Sequence, residues 1–195
     1  MTQSRKIVLA SSSAYRRELL GRLRIPFDWA RPDADETPLP DEPPEATAVR
    51  LAEAKAKTVA GAYPHALIIG SDQVASCEGR RLDKPGTYEN ATAQLRWLSG
   101  KEARFDTAVS LLDARDGRIA TRLVGCQVRF RTLDPARIEA YLACEQPYDC
   151  AGSAKSEGLG IALLSGIDTT DPTSLIGLPL IALCDLLEEF GCSPI

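Results

Sequence analysis

The spacing of apolar and polar positions changes period repeatedly along the chain, and each change marks an element. Ile7 to Ala10 is a short continuous apolar run, the pattern of a strand buried on both faces, and it leads into Ser11-Ser12-Ser13. Leu19, Leu20 and Leu23 then fall at helical spacing, which predicts a helix capped by Ser13. Phe27 to Ala30 reads as a second strand, and Arg31 to Pro44 as a proline-rich acidic loop carrying Asp33, Asp35, Glu36, Asp41 and Glu42. An alanine-rich helix is expected over Ala46 to Ala62, with Leu51, Lys55 and Val59 on one face. Ala66 to Ile69 is again a buried-strand run, ending in Gly70-Ser71-Asp72-Gln73.

The second half of the chain predicts a hairpin over Val74 to Asp83 that turns near Glu78-Gly79. Lys84-Pro85 follows, then a helix from Tyr88 to Leu98 with Thr87 or Asn90 at its start. Phe105 to Leu112 and Ile119 to Arg131 form a long hairpin turning at Asp116-Gly117. Asp134-Pro135 opens a helix whose Ile138, Tyr141 and Leu142 face inward, and Gly152 to Gly160 reads as a flexible polar segment with Lys155 and Glu157. Pro179 starts the last helix, with Leu180, Leu183, Cys184, Leu187 and Phe190 as its buried face and Gly191 as the stop.

With 195 residues, 44% apolar and 26% charged, the chain is expected to be a soluble globular protein of one domain, or of two lobes sharing a cleft. A net charge of −4 disfavours nucleic-acid binding, so an anionic ligand has to be small and met by a local basic cluster. Six scattered cysteines without a C-x-x-C, and a single histidine, His65, argue against a zinc site and against Ser-His or Cys-His catalysis. The cysteines are expected to be reduced core residues. No signal peptide and no apolar run of membrane-spanning length is present, so a cytoplasmic protein without a membrane partner is expected.

The residues left for chemistry are carboxylates, lysines, arginines and hydroxyls. Arg16 and Arg17 occupy the first turn of the first predicted helix, where the dipole is already positive, an unfavourable placement unless an anion is bound. Serine hydroxyls, free N–H groups and two guanidiniums suit a phosphate chain; the other reading is a surface helix whose arginines pair with the acidic loop. Lys55 interrupts an apolar stripe, either as a ligand group or as a lysine snorkelling at the core rim. Asp72, past the end of a buried strand, sits where α/β folds place their sites, although an Asp after Gly-Ser also caps turns. Lys84 is held extended by the proline after it and is able to reach into a cleft. Neither the dinucleotide fingerprint nor the P-loop motif occurs.

Together, Leu9-Ala10-Ser11-x-Ser13-x-x-Arg16-Arg17-x-Leu19-Leu20, Asp35-Glu36-Thr37, Ala54-Lys55-Ala56, Ile69-Gly70-Ser71-Asp72, Lys84-Pro85, Leu98-Ser99-Gly100 and Gly177-Leu178-Pro179 resemble the Maf family of nucleoside triphosphate pyrophosphatases. The resemblance covers nearly the whole chain as a single domain, 1–195. Cys150-Ala151-Gly152-Ser153-x-Lys155-Ser156-Glu157-Gly158 is similar to the subgroup acting on 7-methyl-GTP, whereas Tyr15 stands where that subgroup usually has Trp. The family often has Gly at the places of Asp83 and Ala108.

The resemblance implies an α/β fold, a mixed twisted sheet with flanking helices in two lobes around a deep nucleotide-binding cleft, of the Maf/ITPase-like kind. It also implies hydrolysis of a nucleoside triphosphate to the monophosphate and diphosphate with a divalent cation, Mg²⁺ or Mn²⁺. On it, Asp72 is the proton acceptor. Ser11, Arg16, Arg17, Lys55 and Lys84 hold the phosphates, and Tyr15, Gln73 and Glu157 choose the base, with Gln73 able to meet donors or acceptors. Glu36 joins Asp72 as a candidate metal ligand. A homodimer is expected on the same basis. Two alternatives stay open, a dTTP/UTP-type pyrophosphatase and a non-catalytic nucleotide-binding regulator of cell division.

Overall fold

β1 (Ile7–Ala10) is buried along its whole length, the pattern of a strand inside a sheet that is covered on both faces. In the computed structural model, which describes residues 5–195, β1 pairs in parallel with β2 (Asp28–Ala30) and with β3 (Leu67–Cys77). The remaining strands are β4 (Arg80–Leu82), β5 (Glu102–Asp113), β6 (Ile119–Phe130) and β7 (Leu164–Thr169). Hydrogen-bonded neighbours run β2-β1-β3-β5-β6-β7, with β4 pairing β3, so the sheet is mixed. Five α-helices accompany it: α1 (Ala14–Gly21), α2 (Pro44–Val59), α3 (Tyr88–Leu98), α4 (Pro135–Glu145) and α5 (Leu180–Glu189). No helix among the described residues is long and apolar enough to cross a membrane.

The chain divides into two compact units. The first comprises the residues up to Gln73 together with Thr107–Val124 and Asp171–Ile195. Alternation along β1 sorts its core into two layers: Ile7 and Leu9 pack with Leu19 and Leu20 of α1 and with Leu183, Leu186 and Leu187 of α5, whereas Val8 and Ala10 pack with Ala56 and Val59 of α2. The sheet is therefore covered by α1 and α5 on one face and by α2 on the other.

Gly70 brings α2 onto β3. A Cβ there would lie 2.0 Å from the Ala52 carbonyl oxygen and 2.9 Å from the Ala56 nitrogen, so only glycine lets the helix backbone rest on the strand. The acidic loop before α2 is tied down by Arg50, whose guanidinium meets both carboxylate oxygens of Glu42 at 2.7 Å and reaches the Thr37 carbonyl. That clamp holds the Glu42 carboxyl down to about 2, against the opposing effect of partial burial.

The second unit comprises Val74–Asp106 and Gly125–Thr170. Its hairpin pairs Ala75 with Leu82 and turns at Glu78 and Gly79, both at positive φ, as the sequence predicts. Thr87 caps α3, accepting from the Asn90 N–H, and Asp134 caps α4, accepting from the Arg137 N–H. Leu95 and Leu98 of α3 and Ile138, Tyr141 and Leu142 of α4 are buried, and α3 packs against α4.

Several expectations are corrected. The strand predicted over Ala66 to Ile69 continues to Cys77, so Asp72 lies within β3 rather than past its end. It continues because its polar residues are satisfied: the Ser71 hydroxyl reaches the Ala108 and Gly177 carbonyls at 2.8 and 3.0 Å, and Asp72 meets a lysine on the opposite face. Helix α2 starts earlier than Ala46 and ends at Val59, and Ala60–Ala62 tightens into a 3₁₀ turn. β7 carries only Leu164 and Ile167 as apolar residues and gives no strand pattern; it is defined by pairing antiparallel to β6. In α5, Leu186 is fully buried while Cys184 is half-buried. Of the six free cysteines only Cys77 and Cys126 belong to the core. The segment from Gly152 to Gly160, expected as a polar stretch, runs between 3₁₀ turns at Ala151–Ser153 and Leu159–Leu163, with Gly152, Ser153 and Gly160 buried.

Candidate functional site

The centre of the candidate site is a pair of buried opposite charges. Asp72 on β3 and Lys55 on α2 are 7% and 6% exposed, and Lys55 Nζ lies 2.6 Å from Asp72 Oδ1. Strand alternation explains the direction: Ser71 and Gln73 point to one face of β3 and Asp72 to the other, where Gly70 has let α2 approach. Lys55 also reaches Glu36 of the acidic loop, 2.9 Å from Oε1. Glu36 is itself 60% exposed at its side chain, so the ammonium joins a buried carboxylate to a solvated one.

Arg16 completes the cluster. Ser13 caps α1 by accepting from the Arg16 N–H, as the sequence predicts, and Ser11 in turn accepts from the Ser13 N–H at 3.1 Å. The Arg16 side chain turns inward and its Nε donates to the Gly177 carbonyl at 2.7 Å. Burial pushes the guanidinium down from its ordinary value, opposed by the nearby charges of Asp72 and Glu36. Two cations and two carboxylates therefore balance one another, and Arg16 and Lys55 are not the uncompensated charges that their sequence positions suggested.

Gln73 faces the other side of the strand. Its Nε2 lies 2.9 Å from Thr107 Oγ1, 2.9 Å from the Ser174 carbonyl and 3.1 Å from the Leu175 carbonyl. Carbonyls only accept, so this end of the amide is the nitrogen and Oε1 is turned away from them. The amide nitrogen of Gln73 is thereby engaged within the protein, which leaves Oε1 as its acceptor atom. Thr107, buried and donating to the Ser174 carbonyl at 3.0 Å, and the Gly177 carbonyl are parts of this arrangement that residue-by-residue reading missed. Gly177 stood in a family motif, but nothing in the sequence showed that its carbonyl would accept from both Arg16 and Ser71.

The rest of the expected set is placed differently. Tyr15 is half-buried on α1. Arg17 does not meet the acidic loop: Nη1 donates to the Ser12 carbonyl at 2.9 Å and the guanidinium stacks 4.5 Å from the centre of the exposed Trp29 ring. Lys84 and Glu157 belong to the second unit, where both are exposed.

The donor set suits one kind of metal. Among the described residues no group of three or more His, Cys, Asp or Glu side chains is arranged to hold an ion. Asp72 and Glu36 nevertheless converge on one point, and a cation, the Lys55 ammonium, already stands there. Two carboxylates fit Mg²⁺ or Mn²⁺, which keep several waters and complete their shell with substrate phosphate oxygens rather than needing a full protein cage.

A family model described as Maf-like protein matches residues 6–190. The chain is similar to the 7-methyl-GTP pyrophosphatase of Polaromonas sp. (strain JS666), 56% identical over 188 residues covering 96% of this chain and 86% of that protein. It is 57% identical to the 7-methyl-GTP pyrophosphatase of Paraburkholderia xenovorans over 189 residues, covering 95% of this chain and 92% of that one. A solved structure, that of the Staphylococcus aureus Ham1 protein, aligns with a TM-score of 0.48 and 16% identity over 66% of this chain and 73% of that chain. On the match over residues 6–190 and the identity to these relatives, the chain belongs to the Maf family.

Proposed function

We propose that this chain hydrolyses 7-methyl-GTP to 7-methyl-GMP and diphosphate. The observation that carries the chemistry is the buried Lys55–Asp72 pair at 2.6 Å with Glu36 and Arg16 beside it. The names of relatives more than half identical to the chain support the substrate. They favour it over the dTTP/UTP type and over a non-catalytic regulator.

In this reading Asp72 takes a proton from water as the water oxygen bonds to the α-phosphorus, the bond from that phosphorus to the bridging oxygen breaks, and diphosphate leaves. Lys55 moves its ammonium from the carboxylates to phosphate oxygens, and Arg16 supplies a second fixed positive charge against the charge developing there. Asp72 and Glu36 are the residues that would hold a divalent cation, which would supply Lewis-acid stabilisation of the developing charge. Ser11, Arg17 and Lys84 enter as further phosphate ligands on the family resemblance alone.

For base choice, Tyr15 offers a ring face to the positive charge of N7-methylated guanine, a cation–π contribution of ~0.5–2 kcal/mol that GTP and UTP lack. Gln73 presents an acceptor, and Glu157 accepts from the N1–H and exocyclic amine of guanine. The reading treats 1–195 as one catalytic domain, takes the cytoplasm as its compartment and a homodimer as its assembly. Diphosphate release from 7-methyl-GTP, GTP, UTP and dTTP tests it. We expect kcat/KM for 7-methyl-GTP to exceed the others by at least about tenfold, equivalent to roughly 1.4 kcal/mol. A preference for UTP or dTTP, or no diphosphate from any triphosphate, would contradict it.

A further inference from the structure

In the second unit, two residues of one helix hold both ends of the turn that carries Glu157. Tyr141 and Glu145 lie one turn apart on the same face of α4. The Lys155 backbone N–H donates to the Tyr141 hydroxyl at 3.0 Å, and the Leu159 N–H donates to Glu145 Oε2 at 2.7 Å. Glu145 Oε1 also faces the Lys155 ammonium at 3.2 Å. Glu157 sits midway between the anchored residues and is exposed, although Gly160 just beyond is buried.

The turn closes tightly on Lys155 and Glu145. A Cβ on Gly160 would lie 2.5 Å from both the nitrogen and the carbonyl oxygen of Lys155, and one on Gly158 would lie 2.7 Å from Glu145 Oε2. The Gly158 N–H donates back to the Lys155 carbonyl at 3.0 Å. Glu145 is therefore enclosed by the turn it holds. The Leu159 N–H and, behind it, Lys155 keep its carboxyl below the ordinary range, as a carboxylate with built partners requires.

We propose that Glu145, with Tyr141, is a positioning residue for base choice: it fixes the Lys155–Leu159 turn from one face of α4, so that Glu157 keeps its direction for the base. The proposal rests on the assignment of Glu157 to base recognition. Without Glu145, the Leu159 N–H loses its acceptor and the Lys155 ammonium loses its Glu145 partner, and the turn no longer fixes the direction of Glu157.

The test is the ratio of kcat/KM for 7-methyl-GTP over GTP in the parent, Glu157→Gln, Glu145→Ala, Tyr141→Phe and the double variant Glu145→Ala/Glu157→Gln. Glu145→Ala is expected to lower the ratio about as far as Glu157→Gln does, by roughly tenfold, and Tyr141→Phe by about threefold. The double variant is expected to fall no further than Glu157→Gln alone, since both changes remove one effect. A brace that only supports the fold would lower both substrates equally and leave the ratio at the parental value, which would overturn the proposal. A Glu157→Gln variant with the parental ratio would instead overturn the role of Glu157 itself. Tyr141→Phe keeps the buried ring, and if Glu145→Ala does not fold, the ratio in Tyr141→Phe and in its combination with Glu157→Gln decides by the same criteria.

Discussion

Asp72→Asn is expected to lose ~10²–10⁴-fold in turnover while keeping its fold and its affinity for nucleotide. Asparagine has the shape of aspartate but accepts no proton, so water at the α-phosphorus loses its base. The variant is expected to fold because the change removes one carboxylate and not the lysine's whole environment: Lys55 keeps Glu36 at 2.9 Å. Diphosphate release gives the rate, and a thermal melt with and without a non-hydrolysable triphosphate gives folding and binding. Near-parental turnover would remove Asp72 from the mechanism and leave its pairing with Lys55 as a purely structural contact.

Lys55→Met is expected to abolish most activity and also to destabilise the free protein, by up to ~3–5 kcal/mol, the range for stripping one partner from a buried ion pair. Sequence reasoning points the other way, because a lysine in an apolar stripe of α2 looks like a charge that costs stability without a ligand. The structure reverses the sign: Lys55 neutralises Asp72, which is 7% exposed, so methionine in its place leaves that carboxylate without its closest cation. Arg16 nearby reduces the penalty. The double variant Asp72→Asn/Lys55→Met is expected to recover most of the lost stability while remaining inactive, since no buried charge is then stranded. Chemical denaturation of the parent, both single variants and the double variant measures this. A Lys55→Met protein as stable as the parent would show that the pair contributes nothing to the ligand-free fold.

How legible the site was depends on the range of the interactions involved. Ser13 as a cap, the turn at Glu78 and Gly79, and the bounds of α3 follow from local rules, because each is settled within four or five residues of sequence. The inward path of Arg16 agrees with its place three and four residues before the core residues Leu19 and Leu20. Its partner was not, since the Gly177 carbonyl arrives from 161 residues away. The same holds for Asp72: a buried polar residue inside a strand is stable only with a partner, and that partner comes from a helix which a bare glycine allows close. Period-two alternation could not reveal that β3 continues, because Ser71, Asp72 and Gln73 are all polar and each is satisfied by a different part of the chain. The turn carrying Glu157 read as flexible for a similar reason. Its glycines signal freedom in isolation, whereas here they allow contact with Glu145 and Lys155 too close for a side chain.

The central claim is attack of water at the α-phosphorus of 7-methyl-GTP, and it is tested most directly by running the reaction in H₂¹⁸O and weighing the products. The account predicts one ¹⁸O in 7-methyl-GMP and none in diphosphate. Label in diphosphate, or release of labelled orthophosphate with 7-methyl-GDP, would place the attack on another phosphorus and contradict it.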